Sequence, residues 1–93
     1  MQNEIEFEWD EAKNAANQAK HKCHFEAARA FDFSTALVVE DKRRDYDETR
    51  MIAVGYIGAR LHVLVFTIRV LRIRVISLRK ANKRERAHYE KVD

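Results

Sequence analysis

Arginine is the residue this chain offers most plainly for chemistry. The stretch TIRVLRIRVISLRKA, Thr67–Ala81, threads Arg69, Arg72, Arg74 and Arg79 through aliphatic residues. From Arg69 to Arg86 eight Lys/Arg stand against a single acid, Glu85. A charged group set among apolar neighbours needs water, a partner or a bound anion. A guanidinium donates two parallel hydrogen bonds to phosphate oxygens and keeps its proton at neutral pH, so a cluster of them suits a phosphodiester. The plainer alternative is a solvated strand face whose arginine stems lie on apolar neighbours.

Other reactive residues are scattered. Lys20-His21 supplies a cation beside an imidazole that titrates near neutrality, although such a pair in a polar loop usually has no chemical role. Glu48 and Arg50 flank the start of a strand, either as a general base with its partner or as an ordinary exposed ion pair. His21, Cys23 and His24 match none of the standard zinc spacings and no second pair stands elsewhere, so no metal is expected. The sequence has no Gly-rich phosphate loop, nucleophile elbow or paired-carboxylate motif, and no cofactor is expected.

The elements that position these groups follow from periodicity. Ile5, Phe7 and Trp9 alternate with Glu4, Glu6 and Glu8, which predicts a strand with one wet acidic face, suited to a sheet edge. Asp10 reads as the N-cap of a helix carrying Ala12, Ala15, Ala16 and Ala19. A second helix is predicted from Phe25 to Phe31, packing through Phe25, Ala28 and Phe31. Leu37–Val39 is a short strand and Glu40–Thr49 an exposed charged loop. Strands follow over Met51–Ile57, Leu61–Arg69 and Arg72–Arg79, with turns at Gly58-Ala59 and Val70-Leu71. Asn82-Lys-Arg-Glu85 has capping-box spacing and predicts a last helix to about Lys91.

The predicted order is therefore β-α-α-β-β-β-β-α, an α+β domain with an antiparallel meander whose helices cover one face. Register at the basic hairpin is open. A two-residue turn sets Arg69 opposite Arg72, Thr67 opposite Arg74 and Val65 opposite Ile76. A loop one residue longer flips the last strand and puts Thr67 and Arg69 on a face with Ser77 and Arg79. Both registers gather arginines and a hydroxyl on one face.

Ninety-three residues, 46% hydrophobic and 35% charged, make one globular domain over 1–93. The net charge is +3, yet residues 1–66 hold nine Lys/Arg against twelve Asp/Glu, so the positive excess lies in the last third. That asymmetry points to an anionic partner, nucleic acid first, or to pairing with the chain's own acidic part. The single cysteine rules out an internal disulfide and fits a cytoplasmic setting. The acidic start does not read as a signal peptide, and the Leu61–Ile68 run is too short to span a membrane.

Taken together, Phe7-x-Trp9-Asp10 before a lysine-bearing helix, Lys20-His21, Phe25-Glu26-Ala27, Glu48-x-Arg50, Gly58, Thr67-x-Arg69, Arg74-Val75-Ile76-Ser77-x-Arg79-x-Ala81, and Glu85 and Tyr89 on a final helix resemble the BrnT toxins of type II BrnT/BrnA toxin–antitoxin systems. The resemblance spans about residues 5 to 90. Val70-Leu71 stands where polar or Gly-containing turn residues are usual in the family, and Cys23-His24 replaces small residues. The resemblance implies a RelE-like fold and a metal-independent endoribonuclease that inhibits translation. It also implies a BrnA-like antitoxin with a ribbon-helix-helix-type DNA-binding domain, through which alone the complex would contact operator DNA. On this basis Arg69 and Arg79 are expected at the phosphate, with Glu48 or His21 as base. Lys20, Arg50 and Arg74 are expected as cationic support, and Arg72, Lys80, Lys83 and Arg84 along the RNA backbone. Two other classes use the same hairpin: a non-catalytic nucleic-acid-binding module, and a structural partner that docks an acidic peptide.

Overall fold

The computed structural model describes residues 5–92; Glu4, at the start of the alternating stretch, and the last residue of the 1–93 domain lie outside the described residues. The fold is α+β. Strand β1 (Glu6–Glu8) leads into helix α1 (Glu11–His21), then two 3-10 turns (Phe25–Ala30 and Phe33–Thr35). Strands β2 (Leu37–Glu40), β3 (Met51–Ile57), β4 (Arg60–Arg69) and β5 (Arg72–Lys80) follow, and helix α2 (Lys83–Val92) closes the sequence.

The caps explain where the helices begin and end. Asp10 accepts from the Lys13 amide at 3.1 Å, and Lys22 in the left-handed region (φ 61°) stops α1 with its N–H on Gln18 O. The capping box of α2 forms in both directions: the Glu85 amide donates to Asn82 Oδ1 at 2.8 Å, and the Asn82 amide to Glu85 Oε1 at 2.9 Å. The element predicted as a second α-helix is a 3-10 helix. Its apolar residues Phe25, Ala28 and Phe31 recur every third place, the period of a 3-10 helix, and all three are buried.

The sheet order is β1-β5-β4-β3-β2. The predicted all-antiparallel meander is corrected to a mixed sheet: β2 to β5 form the meander, and β1 pairs parallel with β5, Phe7 opposite Ile73. Phe7 and Trp9 pack on the main core while Glu6 and Glu8 reach the arginines of β5, so β1 takes the far edge as its acidity suggested. Past β1, the edge of β5 is sealed by a side chain. Asn17 donates to Leu78 O at 2.7 Å and to Cys23 O at 2.9 Å, and accepts from the Leu78 amide at 3.3 Å.

The helices do not share a face, contrary to expectation. Helix α1 and the first 3-10 turn cover one side over Phe25, Ala28, Phe31, Leu64, Phe66 and Leu78. Gly55 is required there, because a Cβ would lie 2.8 Å from Phe31 Cζ. Helix α2 lies on the other side, where Tyr89 packs with Leu61, Val63, Ile52 and Val54, meets Tyr56 edge-on, and donates to Thr35 O at 2.7 Å. Alternation along the strands explains the split. Side chains of Ile52, Val54 and Tyr56 point to the α2 side and Ala53 and Gly55 to the α1 side. Because α2 covers only part of its face, the remainder stays open.

The hairpin follows the two-residue register near the turn, with Arg69 opposite Arg72 and Thr67 opposite Arg74. Val70 and Leu71 both have positive φ (45° and 71°), the geometry of a type I′ turn that usually holds Asn-Gly. Farther along, Val65 faces Ser77, and Phe66 faces Val75, so Ile76 is an extra residue in a β-bulge. The bulge shifts the phase of β5. Ser77 and Arg79 therefore join Thr67, Arg69, Arg72 and Arg74 on the α2 side, and the two clusters that had seemed alternatives coexist.

Candidate active site

Nearly every arginine of the hairpin already has a carboxylate. Arg69 donates to Glu48 at 2.8 Å, Arg72 to Glu6 at 3.1 Å, and Arg74 to Glu8 at 3.1 Å. Arg79 holds Glu85 with two bonds of 2.8 and 2.7 Å. Arg50 differs. Among the described residues no carboxylate pairs with it and its buried Nε has no hydrogen-bond partner, while its guanidinium lies 4.1 Å from the Tyr46 ring centroid. A buried donor left unmatched in this way is a place where an acceptor from outside is favoured.

Arg50 opens into a cavity of about 390 Å³ on the α2 side of the sheet, with Arg43, Arg79, Tyr46 and Ser77 at its walls and Val63 and Val65 on its floor. The loop predicted as merely exposed forms one wall and is organised around a buried carboxylate. Asp41 takes two bonds from the Arg43 guanidinium at 2.8 Å each, one from the Arg43 amide at 3.1 Å and one from Tyr46 Oη at 3.0 Å. The Asp41 amide ties the loop ends together through Arg50 O at 2.7 Å. These bonds, the Arg43 side chain first, hold the Asp41 carboxyl far below the usual range, and Asp41 in turn raises Arg43. Asp41, Arg43 and Tyr46 were not among the residues singled out from the sequence. The available signal was a lone aromatic residue, Tyr46, inside a run of charges, since its ring needs an apolar or cationic surface to cover it.

The expected site residues divide into groups. Arg50 and Arg79 line the cavity. Glu48 lies on the same side among Arg69, Arg50 and Arg74; the bond from Arg69, reinforced by those charges, lowers its pKa against the opposing effect of burial. Thr67 is buried and donates to Thr49 O at 2.7 Å, fastening the hairpin to this loop. His21, at the end of α1, does not line the cavity but lies within the electrostatic reach of Arg79. Desolvation lowers its pKa most, followed by the charges of Lys20 and Arg79, which favours the neutral ring. Arg72 stands at the β1 margin, exposed Lys80 ends β5, and Lys83 and Arg84 are exposed on α2. Among the described residues no three His, Cys, Asp or Glu side chains converge as metal ligands, and no helix is long and apolar enough to cross a membrane.

The arrangement can hold an anion against several guanidiniums, with the charged Glu48 on the same side of the sheet and His21 outside the cavity lining. Residues 9–85 match the family model described as ribonuclease toxin, BrnT, of type II toxin–antitoxin system. A comparison with curated proteins gave no match. The matched span contains every candidate site residue, from Lys20 to Glu85. This chain belongs to the BrnT family of ribonuclease toxins of type II toxin–antitoxin systems.

Proposed function

We propose that the protein is a metal-independent endoribonuclease whose scissile phosphate sits against Arg50 and Arg79, with Arg43 closing the cavity wall. The observation that carries this reading is the Arg50 Nε, buried without a partner beside two further guanidiniums. A phosphate oxygen would supply the missing acceptor. The cations then stabilise the charge that grows on the phosphoryl oxygens.

His21 takes the part of base. It lies within the electrostatic reach of Arg79 and its lowered pKa favours the unprotonated imidazole, whereas Glu48 is tied to Arg69 and made less basic by it. In this reading Nδ1 or Nε2 removes the proton of the ribose 2′-OH, and O2′ forms a bond to phosphorus. The bond from phosphorus to O5′ breaks, and O5′ takes a proton from water. The products are a 2′,3′-cyclic phosphate and a 5′-hydroxyl. Glu48 holds Arg69 toward the phosphate, and Lys20 adds positive charge beside His21. Arg72 and Arg74 keep β1 in place through Glu6 and Glu8 while offering their remaining donors to the RNA backbone. Lys80, Lys83 and Arg84 extend that backbone path, so binding weakens with salt.

In this reading the domain is RelE-like. Cleavage in the cytoplasm inhibits translation until a cognate antitoxin binds; that antitoxin carries a ribbon-helix-helix-type domain and makes the operator contacts. Cleavage of a synthetic RNA in excess EDTA is the test. Wild type should cut and leave cyclic phosphate ends, and Arg50→Ala and Arg79→Ala should lose about a hundredfold or more. His21→Asn should remove the acidic limb of the pH–rate profile, which lies below the usual histidine range. Folded Arg79→Ala at full activity would refute the phosphate assignment, and an unchanged pH profile in His21→Asn would refute the base.

A further inference from the structure

Strand β2 forms one edge of the sheet, and among the described residues its defence is the single charge of Glu40 at its end. Charged side chains, prolines or a covering segment normally protect such an edge. Here Val38 and Val39 stand 43% and 59% exposed on it, and Val92 at the end of α2 is 51% exposed nearby. Between β2 and α2 runs an apolar groove of about 560 Å³, lined by Leu37, Val39, Ile52, Val54, Tyr89 and Val92. Leu37 and Val39 pair with Val54 and Ile52, so the edge strand turns every second side chain into the groove.

The charge along the groove indicates what fits it. The flank of α2 facing β2 presents Arg84, His88 and Val92 at four-residue intervals, whereas Arg86 and Glu90 line a separate hollow beside Arg60. Among the described residues the one acid lining the groove, Glu85, is committed to Arg79. A second copy of this chain would bring another basic helix flank to the shared edge, and like charges oppose that. An extended segment with alternating apolar and acidic residues matches both the groove and its basic flank.

We infer that the β2 edge and the β2–α2 groove are the docking site for the antitoxin. The antitoxin would contribute an extended acidic segment that adds to the sheet as a sixth strand. Backbone pairing along Leu37–Glu40 supplies affinity, and apolar side chains entering the groove supply specificity. The groove and the arginine cavity share Ile52, Val54 and Glu85 as a common wall. A segment lying in the groove therefore reaches the rim of the cavity, and its acids can engage Arg43 and Arg50 in place of RNA. This last consequence rests on the proposed phosphate site; the docking itself does not.

The test uses the full chain, the purified cognate antitoxin, and the variants Val39→Glu and His88→Glu. Both substituted positions are exposed, and unchanged melting temperatures would show that the variants fold. Each should bind the antitoxin roughly a hundredfold more weakly while cleaving RNA at the wild-type rate. Hydrogen exchange at residues 37–40 should slow when the wild-type complex forms. Binding within about twofold of wild type, with no protection of β2, would overturn the inference. So would light scattering that shows the free chain as a dimer split by Val39→Glu, because the edge would then belong to a second copy. If the protein cleaves no RNA, the binding and exchange measurements still decide the docking site.

Discussion

Replacing Glu85 by Gln separates a catalytic Arg79 from a structural one. In the free protein the two side chains share bonds of 2.7 and 2.8 Å, and each is about one-third exposed. An amide keeps one acceptor for Arg79 and the acceptor that the Asn82 amide needs, so the capping box survives. What disappears is one negative charge, together with the bond that Arg79 Nη2 donates to the second carboxylate oxygen. The stability loss should be about 1 kcal/mol, in the range of partly exposed ion pairs, which lowers the melting temperature of a domain this size by about 4–8 °C. A phosphate seated on the same guanidinium would stand roughly 5.5 Å from that carboxylate. At an effective dielectric of about 40 their repulsion is about 1.5 kcal/mol, so Glu85→Gln should bind RNA about tenfold more tightly at low salt. The logarithmic salt dependence should steepen by about 0.7, the value for one more phosphate contact on a single strand. Fluorescence anisotropy with a short labelled RNA at several salt concentrations reads both quantities. The pH dependence gives an internal check. Arg79 holds the Glu85 carboxyl below the usual range, so the pair stabilises fully above the unfolded value and its contribution is lost as pH falls through the lowered folded value. Glu85→Gln should lack that part of the acid dependence. If the variant melts lower yet shows wild-type RNA affinity and salt slope, Arg79 serves only to anchor α2 and the phosphate reading fails at this residue.

Other variants probe the scaffold. Tyr46→Phe retains the ring beneath Arg50 and should cleave within about threefold of wild type, whereas Tyr46→Ala should lose about tenfold; equal rates for all three would remove Tyr46 from the site. Asn17→Leu strands the polar groups of Leu78 and the carbonyl of Cys23, at a cost of about 3–5 kcal/mol in urea unfolding; a loss below 1 kcal/mol would mean the edge is not sealed by this side chain. Val70→Asn combined with Leu71→Gly puts residues suited to positive φ into the turn and should add about 1–3 kcal/mol of stability without changing cleavage; destabilisation would show that the turn is not type I′.

Local signals in the sequence were sufficient for the strands and for both α-helix starts, because alternation and capping residues act within a few positions. Phe25, Ala28 and Phe31 marked the right buried face and the wrong helix, since a three-residue repeat fits both over so short a span. The side taken by each helix was not legible. It depends on the crossover from β1 through α1 to the opposite edge, which no local pattern encodes. The hairpin face was legible only as two alternatives, and the bulge at Ile76 explains why neither was complete: one extra residue lets Arg69 follow one register and Arg79 the other. The arginines themselves were conspicuous, but their partners were not. Glu6 and Glu8, Glu48, and Glu85 come from three distant places, so the most unusual cation, Arg50, stands out only once its neighbours have been paired. The loop over Glu40–Thr49 hid its order in plain composition, because a buried Asp41 looks like any other acid until Arg43 and Tyr46 close on it.

The two ends of the sheet bear differently on assembly. At one end β1 offers only three paired residues, and the strand behind it is stopped by Asn17. At the other, β2 presents four residues with unopposed backbone. Head-to-tail stacking of sheets needs a usable edge at both ends of every molecule, and β1 offers three residues there against four on β2. Strand addition at β2, as proposed above, would leave only the short β1 edge for a second event, which disfavours a growing fibre.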